Sequence, residues 1–425
     1  MAVFRVQYRF SMPDAPDAST PTQPALPLGD AVRAWFRRPR AHGELLYNRR
    51  VTWLELFYDL VFVVLIAQIT HRLAADISVA GVFEYAVMFF LVWLGWLNGS
   101  YYQELHGQND GRSRLYIFGQ MTFLVAMTIY AGHAVDDPGQ ALGFGIAYFL
   151  LTLLLAYQWW YLRRVDDPRF QNTVAAYVAF LLVTGTIVFA ASFIPNNTIR
   201  TVVWGAAALV SVLAQLVTVL NGRSSGEGVT DVTESWAERM GLFIIVVLGE
   251  VVVGVGDGLA EGEPTVSHLF TGMLMLFLGF AIWWTYFDFI GRREPLHGER
   301  NRFVWITVHM VLAGAIAAVG AGMVSMIEHS DEAVVPLASR FLIAWSLAVM
   351  LLALAAIVST MPRRPALRRT LPILLMGAVY SVLLALVPLA PMAFAVLLPL
   401  PLWVAWLLAF SDAARGGELI IEIDE

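Results

Sequence analysis

Residues 52–71, TWLELFYDLVFVVLIAQITH, form one apolar block with Glu55 and Asp59 near its start and Gln68 and His71 near its end. About 20 apolar residues, rising 1.5 Å each, cross a bilayer core of about 30 Å. Inside hydrocarbon every backbone N–H and C=O must be bonded within the chain, so a block of this kind can only be a helix. Similar blocks recur at about 80–102, 114–135, 140–162, 172–193, 199–220, 238–259, 266–289, 302–326, 335–359, 369–389 and 391–410. The pattern predicts an all-α polytopic membrane protein of about 12 transmembrane helices. Pro388, Pro391, Pro399 and Pro401 predict a broken or bent final pair, because proline removes a helix hydrogen bond.

Charge is sparse. Only 14% of the 425 residues are charged, against about a quarter in soluble domains, which excludes a soluble globular chain. All 27 basic residues are arginine. With the N-terminus inside, 24 of the 27 fall in or beside cytoplasmic segments, and only Arg72, Arg200 and Arg340 fall on the other side. The outward loops carry acids instead, as in Asp136–Asp137 and Asp257, Glu261 and Glu263. The arginine bias therefore predicts a multi-pass membrane protein with both termini cytoplasmic. Residues 1–50, rich in Pro and small polar residues and then in Arg, predict a disordered basic tail without the apolar core of a signal peptide. Residues 412–425 predict an acidic cytoplasmic tail.

The opening of the first block is echoed later. TWLELFYDLVFVVLIA at 52–67 aligns without gaps with SWAERMGLFIIVVLGE at 235–250, pairing Thr52 with Ser235, Trp53 with Trp236 and Glu55 with Glu238. Arg114 and Arg302 pair at the third and ninth spans, and Trp93–Trp96–Asn98 lies near the register of Trp283–Trp284–Asp288. These echoes predict two parallel six-helix repeats, 51–221 and 222–411, related about the membrane normal. A site is then expected between spans one and seven.

The polar residues within the spans are the candidates for function, because ionisable groups in hydrocarbon are costly. Glu55 and Glu238 each complete a capping-box pattern, Thr52-x-x-Glu55 and Ser235-x-x-Glu238. Asp59, one turn deeper, is either the partner of Arg239, Arg49 or Arg50, or part of an ion or proton pathway. Glu250 sits near mid-membrane, with Gly249 and Gly254 open to a close neighbour. Gln68 is its nearest counterpart in the first copy. His309 is either a pathway imidazole or a hydrogen-bonded packing residue. Gln120 and Gln158 are expected to bond between helices, and the Trp/Tyr groups at 93–102 and 283–286 to form an interfacial belt.

Three classes of function follow. The first is a channel or transporter for a small ion or solute, using Asp59, Gln68, Glu250 and His309. The second is a membrane enzyme or lipid-handling protein with an aromatic cytoplasmic vestibule, using Glu104, Asp288 and His106; a non-transporting scaffold or sensor is a third. There are no cysteines and no GxxxxGK[ST], HExxH or GxSxG pattern, so neither a metal nor a cofactor is expected. No basic groove with interleaved aromatics points to nucleic acid. The expected partners are the lipid bilayer and the small ion or solute, and self-association into a homo-oligomer is compatible with the pattern.

RRVTWLELFYDLVFVVLIAQITH and AERMGLFIIVVLGEVVVGVG closely resemble the two signature segments of the bacterial low temperature requirement protein A (LtrA) family. The resemblance runs over about residues 48–410. It implies a multi-pass protein of the bacterial cell membrane, and the family name, which records a growth phenotype, implies no reaction. Glu55-Leu-Phe57-Tyr58-Asp59 after Arg49 and Arg50 is also similar to the first-helix motif of TMEM175-type cation channels. Tyr58 stands where that motif has serine, and the second copy reads Gly241-Leu242 where it would end in aspartate.

Overall fold

The computed structural model describes residues 29–30, 35–41, 50–220, 232–262, 265–291, 293–362 and 365–414. Among these residues the regular structure is helical, with no strand. The first half of the chain forms α1 (Trp53–Ala75), α2 (Val79–His106), α3 (Gly111–Ala131), α4 (Pro138–Leu162), α5 (Gln171–Ala191) and α6 (Asn197–Leu220). The second forms α7 (Glu234–Glu261), α8 (Val266–Phe289), α9 (Glu299–Glu328), α10 (Leu337–Ser359), α11 (Pro365–Ala385), α12 (Pro391–Leu397) and α13 (Leu400–Ala414). The boundary expected at 221/222 and most of the acidic tail expected at 412–425 lie outside the described residues.

Local chemistry sets the helix starts. Thr52, Ser78, Asp110, Asp137, Thr233 and Thr265 each accept a backbone N–H three residues on, satisfying a donor that the first turn leaves free. The chain breaks between α12 and α13 at Leu398–Pro399, where proline cannot continue the ladder.

Ten stretches among the described residues are long and apolar enough to cross a membrane; the last, Pro391–Leu408, runs through the break between α12 and α13. In α11 the apolar stretch, Thr370–Ala385, is shorter. In α3 the exposed polar residues are Arg114 and Thr122. Gln120 and Ser113 are buried, while Leu115, Phe118, Val125 and Ile129 form an exposed apolar stripe at helical spacing.

α9 is the centre of the packing. Its apolar window is 89% buried, against 33% for α5 and α6, which places those two at the periphery. The run Ala313–Gly322 makes this possible, because small residues let neighbouring backbones approach. A Cβ on Gly320 would lie 3.0 Å from Val251 of α7, and one on Gly322 would lie 2.6 Å from Ile343 of α10. Gly249, expected to serve the same purpose, is exposed with nothing within 4 Å of an added Cβ; Gly254 does meet Val324, at 3.2 Å.

Three expectations need correction. The aromatic group of α2 is no interfacial belt: Trp93, Trp96 and Tyr102 are buried and pack against Trp236, Phe243 and Trp159. Of the later group, Trp283 is exposed while Tyr286 is buried. The N-terminal tail is not wholly loose. Segment 35–41 docks on the end of α2, where Arg40 donates from Nε to Gly107 O (2.8 Å) and from Nη2 to Glu104 O (2.6 Å). Those carbonyls are ones the helix end leaves without intrahelical donors, and a guanidinium can satisfy two together. The N-cap of α7 is Thr233 rather than Ser235, so Glu238 completes no capping box.

Candidate functional site

The site grows from the seam between α1 and α7. On α1, Thr52 and Glu55 form the expected capping box: the Glu55 N–H donates to Thr52 Oγ1 (3.3 Å) and the Thr52 N–H to Glu55 Oε2 (2.8 Å). Asp59 follows four residues later on nearly the same face. Arg239 of α7 reaches both acids, with Nη1 3.2 Å from Glu55 Oε1 and Nη2 3.3 Å from Asp59 Oδ1. The indole N–H of Trp96 on α2 donates to the same Asp59 oxygen at 2.7 Å. All three charged side chains are closed off, at 3%, 0% and 1% exposure for Glu55, Asp59 and Arg239. The Tyr58 and Trp96 rings each lie with their centres 5.9 Å from the guanidinium carbon. Asp59 Oδ2 and Arg239 Nε have no hydrogen-bond partner among the described residues.

A second acid–imidazole contact marks the other end of the seam. His71 Nε2 lies 3.3 Å from Glu250 Oε1, with His71 half-exposed and Glu250 nearly buried. Arg239 thus meets the start of α1 and Glu250 meets its last turn, so the two helices run side by side in the same direction. Asp59 and His71, twelve residues apart, are separated by about 18 Å of helix. Between them Phe62, Leu65, Ile66 and Ile69 of α1, with Phe243 and Val247 of α7, are buried. That stretch of the seam is filled.

Above the His71–Glu250 pair the molecule is open. A cavity of about 580 Å³ between α1, α7, α9 and α10 is lined by His71, Asp257, Glu261, Ser325, Glu328 and His329 among others. A smaller hollow adjoins it, sharing His71, Ala74, Gly254 and Val324, and carries Glu250 and Thr70 on its wall. Glu250 therefore faces a hollow next to an acidic vestibule, not a lipid-facing surface.

The other candidates lie elsewhere. Gln68 is half-buried, with its Oε1 beside Gly132 at the end of α3. Nine residues at about 100° each turn it to the opposite side of α1 from Asp59. His309 is buried, its Nδ1 2.7 Å from Trp305 O and its Nε2 3.3 Å from the Tyr286 hydroxyl. Its surroundings are those of a hydrogen-bonded packing residue. Gln120 links three helices, accepting from Tyr58 Oη at 2.6 Å and donating to Gln158 Oε1 at 3.4 Å.

Glu104, Asp288 and His106 do not converge. Glu104 Oε1 accepts from Thr233 Oγ1 and Ser235 Oγ, both at 2.7 Å, so an acid from α2 sits at the start of α7 where the helix dipole favours it. Asp288 is half-buried near the indoles of Trp284 and Trp406. His106 Nδ1 lies 2.8 Å from Arg40 O, with its ring against Trp159. No group of three or more His, Asp or Glu among the described residues is placed to hold a metal.

Sequence reasoning undervalued Arg239, His71 and the vestibule acids. The signal was present in the repeat register. The offset that aligns Thr52 with Ser235 puts Arg239 opposite Leu56, between Glu55 and Asp59, and Glu250 opposite Ala67, one turn from His71.

Residues 50–410 match the family profile described as Bacterial low temperature requirement A protein (LtrA). An uncharacterized protein of Rhizobium meliloti (strain 1021) is 26% identical over 317 residues, covering 69% of this chain and 73% of that protein. The match spans both halves of the α1–α7 seam together with the helices that enclose it, and the chain belongs to the bacterial low temperature requirement A (LtrA) family.

Proposed function

We propose that the chain is a transport protein of the bacterial inner membrane that passes a small ion or solute along the α1–α7 seam. In this reading α1–α6 and α7–α13 are two parallel six-span repeats, α12 and α13 together making the last span. Both termini are cytoplasmic, so the vestibule opens outward and the Glu55–Asp59–Arg239 cluster lies toward the cytoplasm. The exposed apolar stripe of α3 supports counting it as a span. The copies are not equivalent, since Trp53 is exposed where its aligned partner Trp236 is buried.

One observation carries the proposal: the acidic vestibule reaches His71, whose imidazole lies 3.3 Å from Glu250 on the wall of an adjoining hollow of about 10 Å³, on the same seam that holds a buried ionic cluster about 18 Å below. Ionisable groups in a membrane interior are characteristic of substrate and ion paths. The filled stretch from Phe62 to Ile69 makes this the closed state of an alternating or gated path. Asp59 and Glu250 are the pathway residues, and Gln68 and His309 lie off it.

The test is cation and proton flux in proteoliposomes, comparing the wild type with Glu250→Gln and Asp59→Asn. Flux in the wild type that falls at least tenfold in either variant supports the reading. Equal flux in all three removes these residues from the path, and no flux in any removes transport.

A further inference from the structure

Away from the seam, α3 and α4 run antiparallel, with Tyr116 against Tyr157 and an added Cβ on Gly119 lying 3.0 Å from Leu154. Each presents an exposed stripe at helical spacing. On α4 it runs Ile146, Leu150, Leu153, Tyr157 and Trp160, so it is aliphatic first and aromatic last. Just past the helix end stand the exposed Arg163 and Arg164. On α3 the stripe of Ile129, Val125, Phe118 and Leu115 leads toward the same end of the bundle. One turn before Leu115 is Gly111, where a Cβ would lie 2.5 Å from the ring of Trp35. Segment 35–41 therefore seats an aromatic ring at the foot of this stripe too. A bilayer changes in the same order, from acyl chains through the level that Trp and Tyr favour to the headgroups.

Charge at this end is one-sided. Arg37, Arg114, Arg163 and Arg164 are exposed and Arg112 is half-buried. Of the acids near them, Asp110 and Asp166 are buried and Asp167 is exposed. Asp110 is bonded to the N–H groups of Arg37 and Ser113, and Glu104 is turned to the start of α7. Two of the guanidiniums lie over rings, Arg112 at 4.6 Å from the centre of Tyr161 and Arg164 at 4.7 Å from that of Trp160. Stacking uses the face of a guanidinium and leaves its N–H edge, which matches a phosphate. Arg112 Nη1 is closed off by the protein, so Arg112 supplies charge more than contact. Arg164 is exposed, and no hydrogen bond or ion pair engages its guanidinium among the described residues.

We infer that the α3–α4 face, with segment 35–41 beside it, is a binding site for an anionic phospholipid. The acyl chains lie along the two stripes, and the phosphate meets Arg164 within the field of Arg37, Arg114 and Arg163. A zwitterionic lipid would bring its own cation into that field, which disfavours it. Free phosphate would meet the arginines but leave the stripes uncovered. A lipid also accounts for the rings of Trp35 and Phe36, which are 52% and 38% exposed although their segment is tied down through Arg37 N, Arg38 O and Arg40. The site stands apart from the α1–α7 seam and does not rest on the transport reading.

The test is native mass spectrometry of the full chain in detergent, titrated with dioleoyl phosphatidylglycerol or dioleoyl phosphatidylcholine. The wild type is expected to bind phosphatidylglycerol more tightly. Arg164→Gln, an exposed change past the end of α4, is expected to weaken that binding about fivefold, as for one arginine at an anionic surface, and to leave phosphatidylcholine binding unchanged. Arg300→Gln removes an exposed arginine in the first turn of α9, outside this face, and is expected to bind like the wild type. Glycerol 3-phosphate, which has the phosphate without the chains, is expected not to displace the lipid. Equal binding of the two lipids by the wild type overturns the inference, as does unchanged phosphatidylglycerol binding in Arg164→Gln. An equal loss in Arg300→Gln would make the effect one of net charge, and displacement by glycerol 3-phosphate would make the ligand a free phosphate; either overturns the lipid site.

Discussion

Arg239 and Asp59 are 180 residues apart in sequence and 3.3 Å apart in the fold, Nη2 to Oδ1, both buried. Removing one partner from a buried charge cluster costs about 3–5 kcal/mol, because the remaining charge is left unpaired. Arg239→Ala leaves two acids facing each other across one turn and is expected to lower the thermal unfolding midpoint in detergent well below that of Asp59→Asn. A midpoint for Arg239→Ala equal to that of the wild type would show that the cluster contributes no pairing energy.

The interhelical amide link is a weaker matter. Tyr58→Phe removes the hydroxyl that reaches Gln120 but leaves Gln120 bonded to Gln158. Hydrogen bonds between membrane helices average about 0.6 kcal/mol, so the expected loss is several times smaller than for Arg239→Ala. Chemical unfolding of the two variants side by side measures the ratio.

Because the chain has no native cysteine, accessibility can be mapped one residue at a time. Asp257→Cys and Glu328→Cys, exposed on the vestibule wall, are expected to react with a membrane-impermeant maleimide added to intact cells. Phe62→Cys, in the filled stretch, is expected to stay unlabelled. Labelling of the vestibule positions only from the cytoplasmic side would invert the proposed orientation.

Arg40 anchors segment 35–41 by donating to the carbonyls of Gly107, Glu104 and Gln103 at the end of α2. Arg40→Lys keeps the charge but cannot span these acceptors, so it is expected to lose most of what Arg40→Ala loses. Limited proteolysis between residues 30 and 50 is the readout, with faster cleavage expected in both variants. Unchanged cleavage in Arg40→Ala would show that the anchor lies elsewhere.

At Gly322 α9 lies close against α10. Gly322→Val drives a side chain into Ile343, whose Cβ would lie 2.6 Å from the new Cβ, and overpacking of this kind costs about 1–3 kcal/mol or more. Gly249→Ala, with open space around it, is expected to be neutral or slightly stabilising. Melting curves of the two variants check the contrast.

Residues 52–71 show what a membrane sequence settles unaided. Their length and apolarity made α1 a helix, because hydrocarbon leaves the backbone no other partner, and Thr52-x-x-Glu55 set its start through a contact three residues long. The alignment with 235–250 went further, pointing to α7 as the neighbour of α1. It also misled: the chemistry that caps α7 comes from Thr233 and from Glu104, 129 residues away, which no local spacing records. Only the tertiary structure decided that Trp96 faces inward onto Asp59 instead of outward to an interface, that His71 meets Glu250, and that Gln68 turns away. Aromatic and polar side chains near the end of a span are equally at home in headgroups or in a protein interior, so their sequence is silent on the choice. Packing around the small residues of α9 makes it, by fixing which face of each helix lipid can reach.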